Sequence, residues 1–233
     1  MLLLKKRVKI NAFFLFFVKA IIYSDFLSSL ILLADEKLII KNSCCGSISS
    51  KGEFLLKKLN ESNVESLWLS HQHVNWETGK PDKSVNYKGP GRKTHCSAFA
   101  AAMAKQFDIY MLRPPEHSQI LLASAQVKWF KSSEGIQKGW KPVESIKEAQ
   151  TLANEGNFVV ASFESPDPKK PGHIAIVRPS EKSLELLNSQ GPDVTQAGST
   201  NKISWFVKAA FQHHKGAWPD GIKYYFHSIE KFK

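Results

Sequence analysis

The sequence is short of cysteine: three in 233 residues, at Cys44, Cys45 and Cys96. Three cysteines make no disulfide framework, and adjacent ones such as Cys44 and Cys45 are expected to stay unpaired because the ring they close is strained. It has no CxxC and no HExxH, so the common spacings of structural and catalytic zinc are missing. It has no dense Lys/Arg run after residue 10 and no recognisable nucleic-acid motif, so no nucleic-acid partner is expected. It also has no uninterrupted run of 18 apolar residues, the usual signature of a membrane span.

What is present is the profile of a globular chain. Hydrophobic residues make up 42% and charged residues 23%, with six Trp and fifteen Phe to fill a core. The formal net charge is +11; residues 1–50 hold seven Lys or Arg against three Asp or Glu, so +4 lies there and +7 in the remainder. An excess of positive charge favours anionic partners.

The amino-terminal stretch reads as a separate piece. Lys5, Lys6, Arg7 and Lys9 precede an apolar run from Ile10 to Tyr23, and a second follows from Phe26 to Ala34. A basic region before an apolar one is the pattern of an export signal, and the same residues 10–34 could also associate with a membrane as an uncleaved amphipathic helix. Export to the cell envelope or beyond follows from the first reading, and a cytoplasmic protein if the segment is no signal. Residues 42–53 are small and polar and read as a linker. Residues 1–53 are therefore expected to be a signal or membrane-proximal segment plus linker, and residues 54–233 one folded domain.

Inside that domain the pattern changes twice. After a Gly-, Pro- and Lys-rich loop over residues 77–93, the run THCSAFAAAMAKQF from Thr94 predicts a helix, with Thr94 as N-cap and Cys96 in its first turn. Helices are also predicted over residues 116–131 and over residues 145–155, the latter with Ser145 and Glu148 as a capping box and Gly156 as the stop. The second half turns β-rich. Residues 158–163, 173–177 and 184–187 read as adjacent antiparallel strands, with a short helix near residues 205–211 and a last strand near residues 223–227. Helices first and strands second predict an α+β fold, with N-terminal helices packed on a C-terminal antiparallel sheet.

Cys96 is the natural place to look for chemistry. A thiol attacks as thiolate, and the first turn of a helix together with a neighbouring imidazolium lowers a thiol pKa. His173 opens a strand directly after Pro171-Gly172 and is the candidate base. A third polar group from the following strand would hold the imidazole in one tautomer. Gln196 is the first choice, with Asn188 and Asn201 as rivals. Trp76 and Tyr87 offer aromatic faces for a peptide or glycan, and Arg113 could read a substrate carboxylate. The bland reading of each is core packing or a structural ion pair. His71 and His73, with His95 or Cys96, make a weaker zinc alternative.

Cys96-Ser97-Ala98-Phe99 on a helix, then Pro171-Gly172-His173-Ile174-Ala175-Ile176-Val177 on a strand, resembles the NlpC-like and CHAP (cysteine, histidine-dependent amidohydrolase/peptidase) group. The resemblance spans roughly residues 64–228, and its firm motifs are short. It implies a papain-like fold, with Cys96 as nucleophile, His173 as base and Gln196 as the polar third residue. It also implies a monomeric enzyme that cuts amide bonds in peptidoglycan stem peptides or between peptide and glycan, with no cofactor or metal. Two positions depart from the group: His95 stands where many members have Asp, and Gln196 where His, Asn or Glu is common. An acyltransferase built on the same Cys–His pair, or a non-catalytic wall-binding domain, are the alternatives.

Overall fold

The computed structural model describes residues 43–232. The expected export or membrane-associating segment, residues 10–34, lies outside the described residues. No helix among the described residues is long and apolar enough to cross a membrane.

Among the described residues, seven helices and six strands follow in chain order: α1 (Ser50–Asn60), α2 (Cys96–Gln106), α3 (Leu122–Phe130), α4 (Ser133–Gln137), β1 (Lys141–Val143), α5 (Ile146–Asn154), β2 (Phe158–Phe163), β3 (His173–Val177), α6 (Leu184–Gln190), β4 (Asp193–Gln196), β5 (Lys202–Phe206), α7 (Val207–Ala210) and β6 (Lys223–His227). The strands form one antiparallel sheet in the order β1-β6-β2-β3-β4-β5. The layout is α+β.

The central strands β2 and β3 are buried along their whole length. Alternation sends their side chains to two faces. Phe158, Val160, Ile174 and Ile176 pack with the residues of α1 and α2 and with Phe130 of α3. Val159, Ala161, Ala175 and Val177 pack on the other face with Ala149 and Ala153 of α5 and with Val207 and Ala210 of α7. The Ala-rich sequence of α2 has a purpose here. Ala98, Ala100, Ala101, Ala102 and Ala104 are all buried, which lets that helix lie close to the sheet.

Trp140 is the largest fully buried side chain. Its ring meets Phe130 at 4.4 Å, and its Nε1–H donates to Tyr110 O at 2.7 Å. Trp140→Phe removes ring volume and strands that carbonyl together. It is expected to cost about 2 kcal/mol, read as a lower urea midpoint at unchanged slope.

The amino-terminal boundary differs from expectation. Within the stretch read as linker, Cys45 is buried, Cys44 N–H donates to Lys182 O, and Ser49 caps α1 by accepting from Gly52 N–H. Cys44 and Cys45 are joined in a disulfide, against the expectation that they stay unpaired. The small residues there are needed for proximity: a Cβ on Gly52 would collide with the Asn154 carbonyl of α5. Asn154 itself bonds the Cys45, Gly46 and Ser180 carbonyls and the Ser180 N–H, clipping this segment to the sheet layer.

Three predicted elements change. The helix expected over residues 116–131 begins only at Leu122, because Leu121 sits in the left-handed region at φ 56°. Residues 184–187 are helical, not a strand. Ser183 caps that helix by accepting from Leu186 N–H, and only Leu187 of the apolar set is buried. The third strand of the trio is instead Asp193–Gln196, whose polar residues hid it. The capping box of α5 holds on one side, with Glu148 N–H donating to Ser145 Oγ at 3.1 Å. The Glu148 carboxylate accepts from Glu144 N–H rather than from Ser145 N–H.

Candidate active site

His173 opens β3, opposite Phe163 of β2. It has the parity of Ala175 and Val177, so its ring lies on the face that carries α7. The ring meets Phe211 edge-on at 4.7 Å and stacks on His214 at 5.0 Å, 15° from parallel. A Cβ on Gly172 would strike the Phe163 carbonyl, so the residue before the histidine must be glycine for β3 to enter the sheet here.

Gln196 ends β4, the neighbouring strand, and reaches the same ring. Its Nε2 donates to Thr200 O at 2.9 Å, which leaves Oε1 facing the imidazole at 2.6 Å from His173 Nε2. An amide oxygen only accepts, so His173 Nε2 must carry the proton and Nδ1 must carry the lone pair. The glutamine thus sets the tautomer of a base. Gly198 leaves room for this pair: a Cβ there would sit 3.4 Å from both Gln196 Nε2 and His173 Cε1.

The two rivals for the third position do other work. Asn201 donates to the Val64 and Leu67 carbonyls and accepts from Gly198 N–H, fixing the loop after β4. Asn188 is exposed on α6.

Cys96 is the first residue of α2 and is 4% exposed. The helix starts one residue later than a Thr94 cap requires: His95 takes the N-cap position and its side chain makes no capping bond. The His95 ring is turned elsewhere, with Nε2–H donating to Gln72 O at 3.0 Å. The N–H groups of the first turn are therefore left to other acceptors.

The expected low thiol pKa is not what the structure gives. Burial pushes the Cys96 thiol up, and the backbone N–H groups of Ile174, Ser97 and Cys96 itself, all close to the sulfur, oppose that only in part. The N–H groups at the helix start are outweighed by desolvation. His173 is likewise held neutral. Burial, then the like charge of His214, pull it down to about 3 against the Gln196 hydrogen bond. Alkylation of Cys96 by iodoacetamide at pH 7 is accordingly expected to be about tenfold or more slower than that of an exposed thiol, followed as mass shift against time.

The structure thus brings His173 and Gln196 into direct contact. It sets the Cys96 sulfur beside the Ile174 N–H, one residue further along β3, without a hydrogen bond to the imidazole. The three aromatic and basic candidates are elsewhere. The Arg113 guanidinium lies 5.6 Å from the Trp76 ring and 4.9 Å from the Tyr110 ring. Tyr87 packs edge-on to His73 and donates its hydroxyl to Pro90 O. None of Trp76, Tyr87 and Arg113 lines the cavity that holds His173. His73 Nδ1 is 2.5 Å from Asp82 Oδ1, and among the described residues no group of three or more His, Cys, Asp or Glu is placed to hold a metal ion.

That cavity, about 420 Å³, is lined by Thr94, Pro171, Gly172, His173, Gln196, Gly198, Ser199, Ala210, His213 and His214. His213 and His214 were not apparent from sequence reasoning; the only signal was two adjacent histidines after a short apolar stretch. Compared with known proteins, the chain matches no family model and no curated sequence.

Proposed function

We propose that the protein is a papain-like cysteine hydrolase of amide bonds, with Cys96 as nucleophile, His173 as base and Gln196 as the group that orients the base. The single observation behind the reading is the Gln196 Oε1 contact with His173 Nε2. It comes from the neighbouring strand, and it leaves the ring a bare Nδ1 next in the chain to the residue whose N–H meets the Cys96 sulfur.

The resting pair is neutral on both sides. Cys96 packs with Ile174 on the α2 side, whereas the His173 ring lies against Phe211 and His214, so the reaction requires both side chains to turn about the start of β3 before the thiol comes within hydrogen-bond reach of Nδ1. The thiol proton passes to Nδ1 as sulfur attacks the substrate carbonyl, giving a tetrahedral oxyanion and an imidazolium. The uncapped N–H groups at the start of α2 are the natural donors to that oxyanion. The imidazolium then protonates the leaving amine, the C–N bond breaks and a thioester remains. Water, deprotonated by His173, attacks the thioester and frees the acid and the thiol. Gln196 stays neutral throughout. It orients the imidazolium through its oxygen dipole but gives it no counter-charge.

The substrate class that fits the resemblance and the excess positive charge is peptidoglycan peptide. Digestion of purified wall, followed by mass analysis of the fragments, tests this. New free amines paired with new free carboxylates are the expected products. Intact muropeptides after prolonged incubation with fully folded protein would count against it.

A further inference from the structure

A second cavity, of about 410 Å³, shares Thr94 and Pro171 with the one that holds His173. Its wall carries Lys88, Arg92, Lys93, Lys169 and His71 and no carboxylate. Among the described residues, the side chains of Lys88, Lys93 and Lys169 take part in no ion pair, and Arg92 spends one nitrogen on the Tyr87 carbonyl at 2.7 Å. Other surface cations of this protein do find partners: Lys105 with Glu77, Lys128 and Lys131 with Glu164, and Lys231 with Asp108. Four cations around one concavity without an internal counter-charge create a positive potential that an anion would relieve.

The chemistry of the remaining wall narrows the anion. Pro90, Pro171, Ile120 and Leu121 give the cavity apolar surface, and no Phe, Tyr or Trp lines it. Grooves for single-stranded nucleic acid rely on stacking faces, and this one has none to offer. Gln119 also lines it, and its Nε2 donates to Val74 O, which ties this wall to the loop before α2.

We infer that this cavity is the substrate subsite for an acidic segment of a peptide, with side-chain or terminal carboxylates held by Lys88, Arg92, Lys93 and Lys169. This deepens the hydrolase reading and rests on it for the cavity's role beside His173. Through the shared wall at Thr94 and Pro171, a peptide anchored here runs into the His173 cavity. Acidic residues would then select which amide bond reaches Cys96.

The test separates binding from cleavage by using Cys96→Ala protein. Fluorescence anisotropy is followed with a labelled hexapeptide containing two Glu, and with its Gln counterpart. The acidic peptide is expected to bind about tenfold more tightly, with a preference that shrinks as salt is raised and the Debye length shortens. Lys88→Gln, Lys93→Gln and Lys169→Gln combined should erase the preference, and the corresponding Lys→Glu changes should turn it toward a Lys-containing peptide. Equal binding of the two peptides by unaltered Lys88, Lys93 and Lys169 overturns the inference. So does a preference that survives the triple change, or a labelled oligonucleotide whose binding alone depends on those lysines. An acidic-peptide preference without any turnover by the Cys96-containing protein would defeat the hydrolase reading and leave the subsite standing.

Discussion

Replacing Cys96 with Ala is expected to lower the rate of amide cleavage by about 10³-fold or more, since Cys96 is the one free thiol among the described residues. The fold should survive. Cys96 behaves in packing as a small hydrophobe among Ala98, Phe99 and Ile174, and losing one sulfur costs on the order of 1 kcal/mol. Circular dichroism and the urea midpoint check that point before the assay is read. Cys96→Ser sharpens the result. A hydroxyl is far less acidic than a thiol and a poorer nucleophile when it is not ionised. The serine variant should therefore be as inert as the alanine one, although it keeps nearly the same volume. Unchanged fragment release from either variant, by mass analysis of digested wall, removes Cys96 from the chemistry.

Why the thiol is held neutral also explains which parts of this site could be read from the chain alone. Residue type and local pattern were sufficient for Cys96 at a helix start, because the Ala-rich run announces a close-packed helix. They were sufficient for His173 too, because Gly172 and the apolar run after it announce a strand entering a sheet. Gln196 was one of three candidates. Choosing among Gln196, Asn188 and Asn201 needed the strand order, since of the three only Gln196 lies on β4, the strand that flanks β3 on the side away from β2. The pKa directions were read with the wrong sign for Cys96. Local sequence reports the helix start, which favours thiolate, but not the burial that opposes it more strongly.

The fold shows the same division. Strands β2 and β3 carry β-branched and aromatic side chains buried on both faces and were plain in the sequence. Strand β4 was not, because Asp193, Thr195 and Gln196 are polar and enter the sheet with hydrogen-bond partners: Asp193 takes the Lys182 ammonium at 2.7 Å, and Thr195 accepts from Arg178. The run at Leu184 misled for the opposite reason. Leu184 and Leu186 are apolar but exposed, so their alternation reports no sheet face. Long-range clips such as Asn154 to the Cys45 and Gly46 carbonyls leave no local trace at all, and they are what draw the polar stretch before α1 into the folded unit.

The burial of His173 has a consequence for the whole protein that is measured without any substrate. An unfolded histidine titrates near 6.5, whereas the folded one is pulled down to about 3. Between those values the unfolded chain binds a proton that the native chain refuses. The unfolded state then holds more protons, so stability rises with pH across that window. The contribution is complete above pH 6.5 and is lost as pH falls toward 3, up to about 5 kcal/mol at the bottom of the range. His95 and His214 are also lowered by burial and act with the same sign. Urea midpoints taken from pH 7.5 down to pH 4 should therefore fall steeply. His173→Phe keeps an aromatic ring against Phe211 and removes the titrating group. It should begin from a lower midpoint, because Gln196 Oε1 loses its donor, and then decline much less over the same pH range. A decline as steep as the parent's would mean that the imidazole is not held neutral, and with it would go the unprotonated Nδ1 that the base requires.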